Sequence, residues 1–293
     1  MKGMHMKNCD IAVIGTGLMG KGISHLFAQN GYTVHIYGRS LDHKDKMMSY
    51  LEHELKKGRI TKAALNTIKS NLEFLMLDTD LEQLSKVGFV IETIKEDQAL
   101  KHDLLQKMDR YISEDCLVAS NTSTYSITKL GSSLKNPELF LGMHFMSPVP
   151  MMNAVEIIRG YRTSQTAIDQ ALDIVKSIQK ESFLVKDTPG FVINRLLVPF
   201  FNEASMMMSE GLVSSPKMLD DIMKKAMNLK NGPLELADLI GLDSIYYSME
   251  SLYDNFHDSK YRPCCHLKNM VDAGYLGRKT GKGFYDYNTE EKL

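Results

Sequence analysis

The sequence predicts an α/β fold, a doubly wound, mostly parallel sheet followed by an all-helical C-terminal domain. Three observations predict it. Short β-rich runs alternate with amphipathic stretches over about the first 190 residues. The β-rich runs are continuously apolar, as strands buried on both faces of a parallel sheet must be. At Asp187-Thr188-Pro189-Gly190 the pattern stops and only helical periodicity follows. Taken in order, Ile11–Ile14 reads as the first strand, with a glycine loop and a helical pattern to Asn30 behind it. Gly31 breaks that helix and Thr33–Tyr37 reads as the second strand. A charged helical stretch runs from Leu41 to about Lys57. Further strands are expected at Phe89–Glu92, Leu117–Ser120, Phe140–Met143, Val155–Ile158 and Phe183–Val185, with helices near Asp97–Tyr111 and Ser164–Gln179 between them. Phe191 to Gly211 reads as one long helix, more helices follow from Pro216, and the only later strand-like run is the terminal GKGFYDY. The expected division is therefore residues 1–187 and residues 188–293.

Composition excludes several classes. The chain has 293 residues, 43% apolar and 24% charged, enough for a large core without disulfides or metal. Its 35 Lys+Arg against 36 Asp+Glu argue against a protein that coats nucleic acid. The four cysteines, Cys9, Cys116, Cys264 and Cys265, form no CxxC pair, so no metal site is expected and a reducing cytoplasm is the simpler setting. No run approaches the roughly 20 apolar residues of a membrane span, and the opening MKGMHMKNCD has no apolar stretch of a leader behind its lysines.

Gly15-Thr16-Gly17-Leu18-Met19-Gly20 follows a strand and opens a helix, the context a dinucleotide-binding turn of Rossmann type requires. Gly15 allows the tight turn, Gly17 lets a pyrophosphate approach the backbone, and Gly20 lets helix and strand pack closely. The pyrophosphate then meets the free N–H groups of the helix N-terminus. The end of the second strand bears on the choice of nucleotide. Where NAD-binding sites carry an acid for the ribose 2′-hydroxyl, this chain has Gly38-Arg39-Ser40 after Tyr37, and Asp42 comes too late. Gly38 removes repulsion and leaves room, Arg39 offers a guanidinium to phosphate, and Ser40 adds a donor, so NADP(H) is the expected cofactor. The other reading makes Arg39 a solvated charge on an NAD enzyme.

Four further segments carry polar residues in chemically suggestive places. Ser120-Asn121-Thr122-Ser123 follows a strand, where such sheets bind ligands. Gly142-Met143-His144-Phe145-Met146-Ser147-Pro148 offers a histidine, Val155-Glu156-Ile157-Ile158 a carboxylate inside an apolar run, and Gly190-Phe191-Val192-Ile193-Asn194-Arg195 an amide. A carboxylate in such a run needs a partner. His144 lies 21 residues after Ser123, Glu156 lies 12 after His144, and Asn194 lies 50 after His144. With the glycine turn, these segments and offsets resemble the short-chain L-3-hydroxyacyl-CoA dehydrogenases, and among them the bacterial 3-hydroxybutyryl-CoA dehydrogenases. The resemblance runs from Ile11 through Tyr287 and includes Asn231-Gly232-Pro233-Leu234-Glu235-Leu236 and Leu276-Gly277-Arg278-Lys279-Thr280-Gly281-Lys282-Gly283-Phe284-Tyr285.

The resemblance implies hydride transfer between a nicotinamide and a 3-hydroxyacyl or 3-ketoacyl group on CoA. His144 would be the acid in reduction and the base in oxidation, because histidine titrates near neutrality. Glu156 would hold its other ring nitrogen, and Ser123 and Asn194 would bond the reacting oxygen. Glu96 and Lys101 match positions on the nicotinamide side, and Thr93 sits where the ribose-pyrophosphate passes. Lys56 and Lys57, in the charged run Lys56-Lys57-Gly58-Arg59, match a region that meets CoA phosphates, though a solvated face explains them as well. The helical domain would serve substrate binding and assembly into a homodimer or higher homo-oligomer, with the site in the cleft between domains. Two departures flank the site: Met146-Ser147 replaces Phe-Asn of the usual His-Phe-Phe-Asn-Pro, so Ser147 keeps a hydroxyl beside the cofactor but loses the amide, and Asn153 stands in place of the Lys of Met-Lys-Leu-Val-Glu. They leave open a dehydrogenase of a free 3-hydroxy acid, of gulonate type. A non-catalytic, crystallin-like nucleotide binder is the third reading, disfavoured by the presence of all four of Ser123, His144, Glu156 and Asn194.

Overall fold

The computed structural model of the chain describes residues 9–288; residues 1–8, read above for a leader, and residues 289–293 lie outside them. The chain divides into two compact units, Met1–Thr188 and Pro189–Leu293.

The first unit contains β1 (Ile11–Ile14), α1 (Leu18–Gln29), β2 (Val34–Gly38), α2 (His43–Lys56), α3 (Lys62–Ser70), β3 (Leu72–Met76) and β4 (Phe89–Glu92). It continues through α4 (Gln98–Met108), β5 (Leu117–Ser120), α5 (Ile127–Gly131), β6 (Phe140–Phe145), β7 (Ala154–Arg159), α6 (Gln165–Ser177) and β8 (Glu181–Lys186). The strands form one eight-stranded sheet in the order β3-β2-β1-β4-β5-β6-β7-β8. Every pairing is parallel except β6 with β7. The fold class expected from the sequence is the one observed. All residues of β1, β4 and β5 are buried, as strands covered on both faces must be. Ile23, Phe27 and Leu26 of α1, Met47 and Leu51 of α2, and Ile168, Ile174 and Val175 of α6 join the strands in one core. Each such side chain removed from water contributes about 1.5–3 kcal/mol.

Two local differences in this unit have physical reasons. β3 was not expected, because Leu72-Glu73-Phe74-Leu75-Met76 contains no β-branched residue; its pairing with β2 makes it a strand. Asp187, expected only as a boundary mark, holds the start of α5: its carboxylate accepts from Ile127 N (3.1 Å), Thr128 N (2.8 Å) and Ser126 Oγ (2.8 Å). The strands and helices that the sequence predicts in this unit begin within a residue or two of their expected places, while α3 and α5 are additional to them.

The second unit is helical: α7 (Ile193–Ser209), α8 (Pro216–Met227), α9 (Pro233–Ile240), α10 (Leu242–Phe256) and α11 (Cys265–Asp272). α7 begins later than expected because Phe191 has φ 47°, outside helical space. The GKGFYDY run forms two isolated bridges rather than a strand. Two of its backbone donors go to a side chain instead of a ladder: Asp238 accepts from Phe284 N and Tyr285 N, both at 3.0 Å, and also from the Tyr287 hydroxyl at 3.1 Å. Val198, Phe201, Leu242, Ile245, Met249 and Leu267 form this unit's own core.

Candidate active site

The glycine turn has the shape the sequence predicts. Gly15 sits at φ 122°, where an L side chain is strained. A Cβ on Gly20 would lie 2.0 Å from Gly15 O, whereas nothing lies within 4 Å of a Cβ on Gly17. The turn is thus closed behind and open in front, the condition for a pyrophosphate to reach the backbone. Leu18 and Met19 begin α1 with no acid in its first turn and no side-chain cap, so its N–H groups stay available to an anion. Thr93 braces the turn from β4's end: its hydroxyl donates to Ile14 O at 3.0 Å.

At the end of β2 the structure amends the expectation. The room above Gly38 is filled, since a Cβ there would meet His43 Cγ at 2.6 Å. The buried His43 ring shares a hydrogen bond through Nδ1 with Ser40 O at 2.7 Å. Glycine at this position therefore fits β2 against the start of α2. The Ser40 hydroxyl is committed as well, donating to Asp42, which also pairs with Lys46 at 2.7 Å. Arg39 remains exposed and lines a cavity of about 390 Å³. Leu81, Ile94 and Leu104 contribute its apolar wall; Arg39, Lys95, Lys107 and Arg110 bring four cations to it against Asp78 and Asp103. An apolar slot with cations suits the adenosine end of a nucleotide.

Antiparallel pairing creates the reactive pair. His144 on β6 stands directly opposite Glu156 on β7, so both side chains leave the same face. His144 Nδ1 lies 2.7 Å from Glu156 Oε2, and both residues are 4% exposed. A carboxylate accepts only, so the Nδ1 proton stays on the ring and Nε2 faces the other way. There Ser123 Oγ lies at 3.0 Å. Ser123 is in the turn after β5, and Asn121 of the same turn holds the end of β6 by accepting from Phe145 N at 2.9 Å. Ser123, His144 and Glu156 are therefore brought together; Asn194 stands in the second unit, in the first turn of α7.

The remaining expected residues fall in different settings. Glu96 accepts from Ser123 N (3.0 Å), Thr124 N (3.2 Å) and Thr124 Oγ1 (2.9 Å), so it grips the serine turn. Burial alone would raise its pKa; Lys101 and these donors outweigh that and hold the carboxyl below its usual range. Lys101, which the resemblance sets on the nicotinamide side, is buried, 1% exposed and paired with Glu92 at 2.7 Å. Sequence reasoning missed Glu92, wholly buried at the end of β4, although a carboxylate closing an apolar strand was a signal of the kind that drew attention to Glu156. Ser147 is exposed after β6. Lys56 and Lys57 are exposed at the end of α2, while Arg59 is committed to the buried Glu54 at 3.0 Å. No group of three or more metal-ligating side chains occurs among the described residues, nor any helix long and apolar enough to cross a membrane.

The sheet order, the open glycine turn and the buried histidine–carboxylate pair define a dinucleotide-binding α/β protein. Residues 10–188 match the family model of the 3-hydroxyacyl-CoA dehydrogenase NAD-binding domain, and residues 190–287 that of the family's C-terminal domain. The chain belongs to the 3-hydroxyacyl-CoA dehydrogenase family. It is 42% identical over 282 residues to a 3-hydroxybutyryl-CoA dehydrogenase of Clostridioides difficile, covering 95% of this chain and 99% of that one. It is 38% identical over 278 residues to the 3-hydroxybutyryl-CoA dehydrogenase of Bradyrhizobium diazoefficiens, covering 94% of each. Among solved structures it is similar to (S)-3-hydroxybutyryl-CoA dehydrogenase from Ralstonia eutropha, with a TM-score of 0.87, 39% identity and coverage of 95% and 98% of the two chains.

Proposed function

We propose that the chain transfers a hydride between NADP(H) and short-chain 3-hydroxyacyl- and 3-ketoacyl-CoA, reducing acetoacetyl-CoA to (S)-3-hydroxybutyryl-CoA. The observation that carries this is the chain of contacts Ser123 Oγ–His144 Nε2–Glu156, at 3.0 and 2.7 Å. The nicotinamide, when bound, supplies or takes the hydride. In reduction, protonated His144 gives its Nε2 proton to the oxygen that becomes the alcohol; in oxidation the neutral ring takes it back. Glu156 keeps the tautomer and stabilises the imidazolium that oxidation produces. Ser123 hydrogen-bonds the same oxygen and holds it against Nε2. Asn194 is assigned the second donor role from its spacing to His144 and the family resemblance. Gly15, Gly17 and Gly20 seat the pyrophosphate, and Arg39 meets the 2′-phosphate. The exposed Lys56 and Lys57 are assigned to CoA phosphates.

A steady-state assay with acetoacetyl-CoA, free acetoacetate and sugar acids, each with NADPH and NADH, tests the reading. Acetoacetyl-CoA is expected to be the preferred substrate, and His144→Gln to lose turnover by at least about 10³-fold while nucleotide affinity stays within a few-fold. Preference for the free acids would instead identify a hydroxy-acid dehydrogenase. Near-normal turnover by His144→Gln would remove the histidine from the reaction.

A further inference from the structure

We infer that Asn121 is a positioning residue: its side chain stands in for the strand that β6 lacks at the level of His144, and so sets Ser123 against the histidine ring. The inference rests on the proposed function for its kinetic consequence alone. The ladder between β5 and β6 closes with Ser120 opposite Gly142, and His144 lies beyond that last pair. β7 supports this stretch from the other edge, as far as Phe145 opposite Val155. On the β5 edge the backbone of β6 runs out of strand partners while still inside the protein, Phe145 being 3% exposed. A buried N–H needs an acceptor. Asn121 Oδ1 supplies it, accepting from Phe145 N at 2.9 Å.

The side chain can do this because its backbone is fixed first. Asn121 N donates to Glu92 O at 2.8 Å, which adds one bond between β4 and the end of β5 before the chain turns away. The residue is itself buried. Ser123 follows in the turn, which Thr122 closes by accepting from Tyr125 N on its hydroxyl at 3.0 Å. Asn121 therefore belongs to the turn that carries Ser123 and is bonded to the strand that carries His144. Ser123 Oγ and His144 Nε2 lie 3.0 Å apart although no ladder joins their backbones, and the Asn121 amide sets the separation of the two segments. With the acceptor removed, β6 keeps β7 and loses its hold on the turn. His144 and Glu156 then move together, since they stand opposite each other, and the contact given up is the one to Ser123.

Asn121→Leu keeps the shape of the side chain and removes the acceptor, whereas Asn121→Asp keeps an oxygen in the same place. In the leucine variant kcat for acetoacetyl-CoA is expected to fall about 10- to 100-fold with KM within about threefold, because misplacement by about an ångström suffices for such a loss. The aspartate variant should recover kcat to within about fivefold of wild type, since the acceptor returns. Asn121→Ala, which leaves room for a water on Phe145 N but nothing to hold the strand, should give the leucine result and serves if Asn121→Leu does not fold. The deciding measurement is the double-mutant cycle: in a Ser123→Ala background, Asn121→Leu should lower kcat by less than about threefold, because the contact it acts through is already gone. Full additivity of the two losses would reduce Asn121 to structural support. Equal losses in Asn121→Leu and Asn121→Asp, with a raised nucleotide KM, would make its N–H₂ group a ligand contact and overturn the inference as well. Should the wild type leave acetoacetyl-CoA untouched, the proposed substrate falls. The ring resonances of His144 in the ligand-free protein, expected to shift in Asn121→Leu and return in Asn121→Asp, still decide the role of Asn121, and unmoved resonances would refute it.

Discussion

Arg39 is the residue on which the choice of nucleotide turns. The structure leaves it the exposed cation of the β2 end, because Ser40 is spent on Asp42 and Gly38 faces His43. A guanidinium on a phosphate is worth about 1.5–3 kcal/mol, so Arg39→Ala should lower the ratio of kcat/KM for NADPH over NADH about 10- to 100-fold. An unchanged ratio would leave Arg39 as a solvated charge and the enzyme indifferent to the 2′-phosphate. At this scale the sequence was a good guide where a residue type implies its partner. The carboxylate in an apolar strand called for a partner, the family resemblance implied that it is His144, 12 residues earlier, and the structure pairs the two. It was a poor guide where several partners compete for one group. Ser40 had a nearer acceptor than any ligand, and Lys101 had Glu92, nine positions away across the loop after β4, which spacing alone did not bring forward.

Elements explain both the successes and the misses. Strands buried on both faces announce themselves as apolar runs, and β1, β2, β4, β5, β6 and β7 were all legible. β3 lies at the sheet edge, partly exposed and carrying Glu73, so its strand state comes from pairing with β2 and not from its own pattern. The reversal between β6 and β7 could be inferred only through the chemistry it serves, since it sets His144 against Glu156. The junction of β2 with α2 gives a prediction of this scale. Restoring an acid by Gly38→Asp would drive a Cβ to 2.6 Å from His43 Cγ. Overpacking of this kind costs about 1–3 kcal/mol, so the variant is expected to show a lower midpoint in urea unfolding with an unchanged slope. Adding His43→Ala should recover most of the loss by opening the space. A Gly38→Asp variant as stable as wild type would mean that α2 can yield at its first turn.

Over the whole molecule the near-cancellation of 35 cations by 36 anions conceals local order. Four cations meet two carboxylates around the Arg39 cavity, and two carboxylates share one ammonium beneath the Ser123 turn. Cysteine usage is equally uninformative as a count and informative by place. All four cysteines are thiols and not disulfides: Cys9 and Cys116 are buried in the first unit, Cys264 is buried in the second, and its neighbour Cys265 is exposed. The thiolate is the reacting form. Burial raises the pKa of Cys9 and pushes that of Cys116 up to about 12, so neither offers a thiolate near neutrality even where reagent could enter. Cys264 caps the N-terminus of α11 and its Sγ accepts from Leu267 N at 3.4 Å, which ties it to the helix start. The native chain at pH 8 is therefore expected to release one equivalent of thionitrobenzoate rapidly from a disulfide reagent, with the other three thiols appearing only in denaturant. Substituting Cys265→Ser should abolish the fast phase and leave the denatured total at three. Two or more fast thiols in the native chain would mean that one of the two units opens readily in solution, and the surviving phase in Cys265→Ser would show which.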